Sequence, residues 1–236
     1  MADDNPFDRV RAGLVSGELS DVAFGALLPP LVRAKSTYHW TPLAVARRAA
    51  LRFAEQGIQR VLDVGCGPGK FCIAAAVAQP EIDFCGVELN VSLTKTAQEL
   101  ATQLRLSNIE FRTGNALGAP WHDFDGFYFF NPFITSSLAP FGIGGELLRV
   151  AELLGAARRG ATVVTYHGLG GLIPSSYELR SEEPISSGHL RVWVKTRARA
   201  ADYYHLEYSR DVSRVPRSYI REKVGSFEAL DRVTYD

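Results

Sequence analysis

The stretch from Val61 to Ala76, VLDVGCGPGKFCIAAA, constrains the fold more than any other part of the chain. An apolar run suited to a buried strand gives way to three glycines at alternate positions, Gly65, Gly67 and Gly69, and then to an apolar helix. A strand-to-helix turn that sharp needs dihedrals that glycine adopts without a steric penalty, and the missing side chains let a ligand approach the backbone. Glu88 ends the next apolar run, about twenty residues on, where a carboxylate accepts from both hydroxyls of a ribose. Loop and acid together define a nucleoside site.

The rest of the chain extends that pattern. Strand candidates run over Val61 to Val64, Ile82 to Glu88, Ile109 to Arg112, Gly126 to Phe130 and Ala161 to Tyr166. Helices follow Gly69, span Val91 to Arg105, and span about Glu146 to Arg158 with Gly160 as the stop. Such alternation implies a doubly wound, parallel α/β sheet. Tyr177 to Arg180 and Leu190 to Lys195 read as a hairpin, since Leu190, Val192 and Val194 alternate with Arg191, Trp193 and Lys195.

Residues 1–57 read as an N-terminal helical cap, 58–200 as the core, and 201–236 as an extension of unknown role. In the cap, Thr41 and Pro42 have the form of an N-cap followed by proline at the first helical position. Leu43, Ala46, Ala50 and Phe53 then supply an apolar stripe, and Gly57 a stop.

Composition narrows the class of function. At 236 residues and 46% hydrophobic, the chain can bury one sizeable core. Its 26 Lys and Arg balance 26 Asp and Glu, so no long-range field draws it to DNA or to anionic lipid, although a local basic patch is compatible with that balance. Cys66, Cys72 and Cys85 lack the paired spacing of a zinc site or a disulfide framework and read as buried thiols, with no metal expected. The acidic start, MADDNPFDRVRAG, has no apolar signal core, and no apolar run approaches a membrane span. The expectation is a cytoplasmic protein without a membrane partner.

Spacing sorts the possible cofactors. A Walker loop needs four residues between its glycine and the Gly-Lys pair, followed by Ser or Thr; Gly65 and Gly69 enclose three, and Phe71 follows Lys70. A dinucleotide fingerprint wants a third glycine where Lys70 stands. A nicotinamide oxidoreductase on a degenerate loop therefore stays as an alternative, as does a non-catalytic cofactor-binding subunit.

The segment DVGCGPG, from Asp63 to Gly69, with Glu88 downstream, resembles the first motif of the class I S-adenosylmethionine-dependent methyltransferases. That resemblance implies a seven-stranded, mostly parallel Rossmann-like sheet whose final hairpin supplies an antiparallel strand. It also implies S-adenosylmethionine as cofactor. Asp63, Gly65, Cys66, Gly67 and Gly69 would lie against the cofactor, Glu88 and Leu89 at the ribose, and Asn115 and Ala116 at the adenine, although Asp is more usual at the position of Asn115.

The fourth strand candidate runs into Asn131-Pro132-Phe133, which looks like a contracted Asn-Pro-Pro-aromatic motif of amino-group methyltransferases, one proline short. Carried over, Asn131 sits beside the cofactor methyl, and its amide oxygen with the Pro132 carbonyl holds an amine nucleophile while Phe133 faces a planar acceptor. Upstream, Tyr38-His39-Trp40-Thr41-Pro42 resembles the Thr-Pro segment ahead of the glycine motif in such enzymes. Thr41 would then touch the cofactor carboxylate, and Tyr38, His39 and Trp40 would line the acceptor side.

His167, at the end of the fifth strand candidate, is a further acceptor-lining residue and a possible base, followed by Gly168, Gly170 and Gly171 in a loop. His122 and the arginines Arg210, Arg214, Arg217 and Arg221 are weaker candidates, the latter for an acidic substrate or a partner subunit. The expected activity is methyl transfer to a nitrogen of a protein side chain, an RNA base or a small molecule.

Overall fold

The structure is a computed structural model that describes residues 5–34, 40–130, 132, 145–198, 203–207 and 212–218. Tyr38, His39, Asn131, Phe133, Arg210 and Arg221 lie outside the described residues.

Among the described residues four helices precede the sheet: α1 (Pro6–Ser16), α2 (Asp21–Gly25), α3 (Pro30–Arg33) and α4 (Leu43–Glu55). The core then runs β1 (Arg60–Val64), α5 (Lys70–Ala78), β2 (Asp83–Glu88), α6 (Val91–Gln103), β3 (Ile109–Thr113) and β4 (Gly126–Phe129). It continues with α7 (Gly145–Ala156), β5 (Thr162–Tyr166), β6 (Gly171–Pro174), β7 (Tyr177–Ile185) and β8 (Gly188–Lys195), and closes with β9 (Tyr203–Glu207) and β10 (Val212–Pro216).

Seven strands form one sheet in the order β3-β2-β1-β4-β5-β8-β7. The first five are parallel, and the β7–β8 hairpin adds antiparallel strands beside β5. The seven-stranded, mostly parallel sheet expected from the sequence is therefore present. Strand order reverses between β1 and β4, and the crevice that a doubly wound sheet offers a ligand opens at that switch point, beyond the carboxyl ends of the strands.

Each face of the sheet carries its own core. On one side α4, α5 and α6 bury Val45, Ala49, Phe53, Ile73 and Ala97, and on the other Trp121, Phe127, Val150 and Leu154 pack together. α5 is apolar around its whole circumference, Phe71 through Ala76 being buried, because it is covered by both the cap and the sheet.

Two expectations about local structure are corrected. Thr41 does not cap α4: that helix starts at Leu43 with Pro42 as its cap residue and no side-chain capping bond from it, and the Leu43 amide donates to Asp21 Oδ1 at 2.9 Å. Thr41 is instead turned inward against β4. The hairpin is also longer than the alternating residues suggested, reaching Ile185 and Gly188, and both faces of β8 are covered, so that Arg191, Trp193 and Lys195 are as buried as Leu190 and Val192.

Residues 203–207 and 212–216 rejoin the core. β9 pairs with β6 and β10 in a small second sheet. Glu207 on β9, fully buried, accepts from Thr165 Oγ1 (2.7 Å), Leu169 N (3.0 Å) and Trp193 Nε1 (3.1 Å), with Arg191 at 3.5 Å. A buried carboxylate is tolerable only with such a set of donors. This anchor fastens the small sheet beside the carboxyl end of β5. Arg214 and Arg217 stack over Tyr203 and Tyr204 of the same sheet.

Candidate functional site

The glycine turn has the geometry its composition requires. Gly65, Gly67 and Gly69 take φ of 76°, 56° and 78°, all left-handed. The amides of Gly65 and Cys66 both donate to the Val87 carbonyl, at 3.0 and 3.1 Å, which ties the turn to β2. A Cβ on Gly67 would stand 2.5 Å from the indole of Trp40, and one on Gly69 2.5 Å from Phe111. Gly65 alone of the three is exposed, and the space beside it is bounded by Pro132, 3.1 Å from where its Cβ would be.

Glu88 stands across from the turn. Its Oε2 accepts from the Gly67 amide at 3.0 Å and its Oε1 from Asn90 N at 2.9 Å, which leaves each oxygen a further lone pair for an incoming donor. The next residue, Leu89, is 71% exposed and Val91 67%. Two large apolar side chains held out beside a carboxylate suit the flat face of a base whose ribose the carboxylate holds. Val91 was not singled out from the sequence; as the first residue of α6 it reads as ordinary helix.

Below the turn the polar groups serve the scaffold. Asp63 is buried, accepts from the Cys72 thiol at 3.3 Å, and is pushed up to about 7 by burial. Burial holds the thiols of Cys66 and Cys72 well above their ordinary value, so both stay protonated. Cys66 Sγ occupies the hollow that Gly86 leaves, 2.6 Å from the position of a Cβ there, so it faces β2 and not the crevice.

Asn115 follows β3, and its Oδ1 accepts from Leu117 N at 2.9 Å, capping the short turn over Ala116–Gly118. That bond uses one of the two lone pairs expected to meet an adenine amino group. The Ala116 carbonyl is taken by Trp121 Nε1 at 2.7 Å.

The cap is bonded to this edge of the sheet at three points. Trp40 lies against Gly67, and Thr41 Oγ1 is 3.0 Å from the buried hydroxyl of Tyr128, whose ring stacks on Phe71 at 3.7 Å. Lys70, only 2% exposed, pairs with Asp21 at 2.5 Å. A lysine heading a fully buried helix was the one signal in the sequence that a carboxylate had to come from elsewhere.

His167 is the first residue after β5, at the same edge as the glycine turn, with ring centroids of Phe130 at 5.7 Å and Tyr166 at 4.3 Å. Burial, and then the neighbouring His189, lower its pKa, which favours the neutral ring. His122 is largely exposed and lies 3.3 Å from Asp123, away from this group.

Residues 57–140, which contain the glycine turn, Glu88, Asn115 and the Asn-Pro-Phe segment, match the protein family described as "Methyltransferase domain". Over those residues the chain is similar to that family. Among solved structures the chain is similar to an RNA methyltransferase from Salinibacter ruber in complex with S-adenosyl-L-homocysteine, with 19% identity and a TM-score of 0.51 over 73% of this chain and 98% of that one. It is also similar to TrmN from Thermus thermophilus, at 22% identity and a TM-score of 0.51 over 66% of this chain and 49% of that one. At those identities the likeness is one of fold.

Among curated proteins, a tRNA (guanine-N(7)-)-methyltransferase of Microcystis aeruginosa is 42% identical over 59 residues, 25% of this chain and 28% of that protein. One of the same name from Synechocystis is 30% identical over 104 residues, 41% of this chain and 49% of that protein. The chain thus spans between about a quarter and a half of the length of the curated relatives it matches.

The cofactor of a methyltransferase domain is S-adenosylmethionine, which supplies a methyl group on an electrophilic sulfonium. The residues fit it: Glu88 for the ribose, Leu89 and Val91 for the base, and the opened backbone at Gly65 for close approach. Among the described residues no cluster of three or more His, Cys, Asp or Glu could hold a metal, and no helix is long and apolar enough to cross a membrane.

Proposed function

We propose that this chain is an S-adenosylmethionine-dependent methyltransferase that methylates a nitrogen, with an RNA base as the acceptor to be tried first. The observation that carries the cofactor half is the Glu88 carboxylate held 3.0 Å from Gly67 N at the mouth of the left-handed turn. The nitrogen half rests on the similarity of Asn131-Pro132-Phe133 to the amino-group motif and is supported by Pro132, which packs beside Gly65. An RNA acceptor is favoured by the names of the matched relatives.

A neutral nitrogen nucleophile needs alignment more than activation, so positioning and exclusion of water would supply most of the rate. The test is incubation with methyl-labelled S-adenosylmethionine and a cell lysate fractionated into protein, RNA and small molecules. Label on nitrogen in the RNA fraction is the expected result. Label on oxygen or carbon overturns the nitrogen assignment, and label in another fraction overturns RNA as the acceptor.

A further inference from the structure

His167 has a seat built for it. The residue takes φ 59°, a left-handed conformation that few side chains enter readily, His and Asn among them. Its ring lies against the backbone of Gly188, where a Cβ would stand 2.7 Å from Cε1 and 2.9 Å from Nδ1, so any other residue at 188 would displace the imidazole. The tip of the β7–β8 hairpin, which carries Gly188, is held in place because the Tyr166 hydroxyl donates to the Ile185 carbonyl at 3.3 Å.

Position gives that seat a purpose. Phe130, whose ring centroid is 5.7 Å from that of His167, immediately precedes the Asn-Pro-Phe segment, and Pro132 packs beside Gly65. Glycine turn, Pro132, Phe130 and His167 thus follow one another along the carboxyl edge of β1, β4 and β5. We infer that the acceptor is an amino nitrogen, which carries N–H, rather than a bare ring nitrogen, and that His167 is the base that takes the proton it releases during methyl transfer, with His189 as its electrostatic partner. This rests on the methyltransferase reading above.

The step balances without another reactant. The acceptor nitrogen bonds to the methyl carbon as the carbon–sulfur bond breaks and its electron pair stays on sulfur. The N–H proton passes to a ring nitrogen of His167, the N–H pair returns to the acceptor nitrogen, and the imidazolium then gives its proton to water. Phe130, just past β4, faces the ring without charge; among the described residues the titratable groups that face it are Tyr166 of β5 and His189 of β8. The burial and the like charge of His189 both hold the ring neutral, as a proton acceptor must be.

His167→Asn is the informative variant because Asn tolerates the same backbone conformation. With labelled S-adenosylmethionine and unfractionated RNA, it should lower turnover by on the order of a hundredfold and abolish the acid limb of the pH–rate profile, at unchanged cofactor affinity. His189→Gln removes the like charge, so the acid limb should move to higher pH. The same shift should appear in an NMR titration of the His167 ring in the protein without cofactor or acceptor. Full turnover with a wild-type acid limb in His167→Asn, or a His167 titration indifferent to His189→Gln, overturns the inference and leaves the methyltransferase reading standing. Cofactor binding without methyl transfer to any fraction of the lysate in the wild type overturns that reading, and this inference with it.

Discussion

Thr41 Oγ1 and the Tyr128 hydroxyl lie 3.0 Å apart, both buried, 87 positions apart in the chain. The bond joins the segment entering α4 to the strand that leads into the Asn-Pro-Phe segment, so the cap is tied to that strand. Thr41→Ala would leave the Tyr128 hydroxyl buried without that partner and should cost about 1–3 kcal/mol, or a fall in Tm of several degrees for a chain of this size. The Thr41→Val, Tyr128→Phe double variant removes both polar groups and should cost less than the sum of the single changes. Additive losses in thermal unfolding would mean that the two hydroxyls are not coupled.

Glu88 and Gly67 make the second testable contact. Glu88→Ala removes the acceptor for a ribose and should weaken S-adenosylmethionine by on the order of 2 kcal/mol, roughly thirtyfold in Kd. Calorimetric titration measures it directly. Cofactor should also raise Tm by mass action, and NADH should not. Equal affinity in wild type and variant would remove Glu88 from the site, and a shift with NADH alone would restore the oxidoreductase alternative.

A third expectation concerns pH. Glu183 at the outer edge of the sheet accepts from Arg48 and Arg52 of α4, with distances from 2.7 to 3.2 Å. The Arg48 bond, and then Arg52, bring its pKa down from 4.5 to about 2. A carboxylate whose folded pKa is depressed contributes stability that is present above its unfolded value and is lost as pH falls from about 4.5 towards about 2. These groups are partly exposed, so the contribution is on the order of 1 kcal/mol. Urea unfolding of wild type and Glu183→Gln should differ at pH 7 and converge below the folded value. A gap that persists at the lowest pH would assign the effect to packing.

The Lys70–Asp21 pair bears on how the cap is dissected. Removing residues 1–42 would take away Asp21, the partner of a buried lysine at the start of α5, together with the acceptor for the Leu43 amide. A truncated protein would therefore lose core stability along with its cap, and Trp40→Ala separates cofactor contact from folding more cleanly.

Much of this protein is legible in one dimension because the physics involved is local. Alternate glycines at 65, 67 and 69 fix a left-handed turn whatever surrounds it, and the alternation of apolar runs with helix-like segments fixes a parallel sheet through the crossover geometry. The expected loop, acid and parallel strands follow from spacings within a few tens of residues, whereas the seven-stranded form of the sheet is what the family resemblance implies. What the tertiary structure decided are partnerships across long separations. Thr41 reads as a helix cap because capping is a local habit, yet its hydroxyl meets Tyr128, and the cap falls to Asp21. Lys70 and Glu207 are charged groups that folding buries, and their partners are brought to them from distant parts of the chain. His167 acquires its seat only because the hairpin turns Gly188 back over β5. Backbone dihedrals and burial periodicity are written in neighbours; the satisfaction of a buried polar group is settled wherever the fold places its partner.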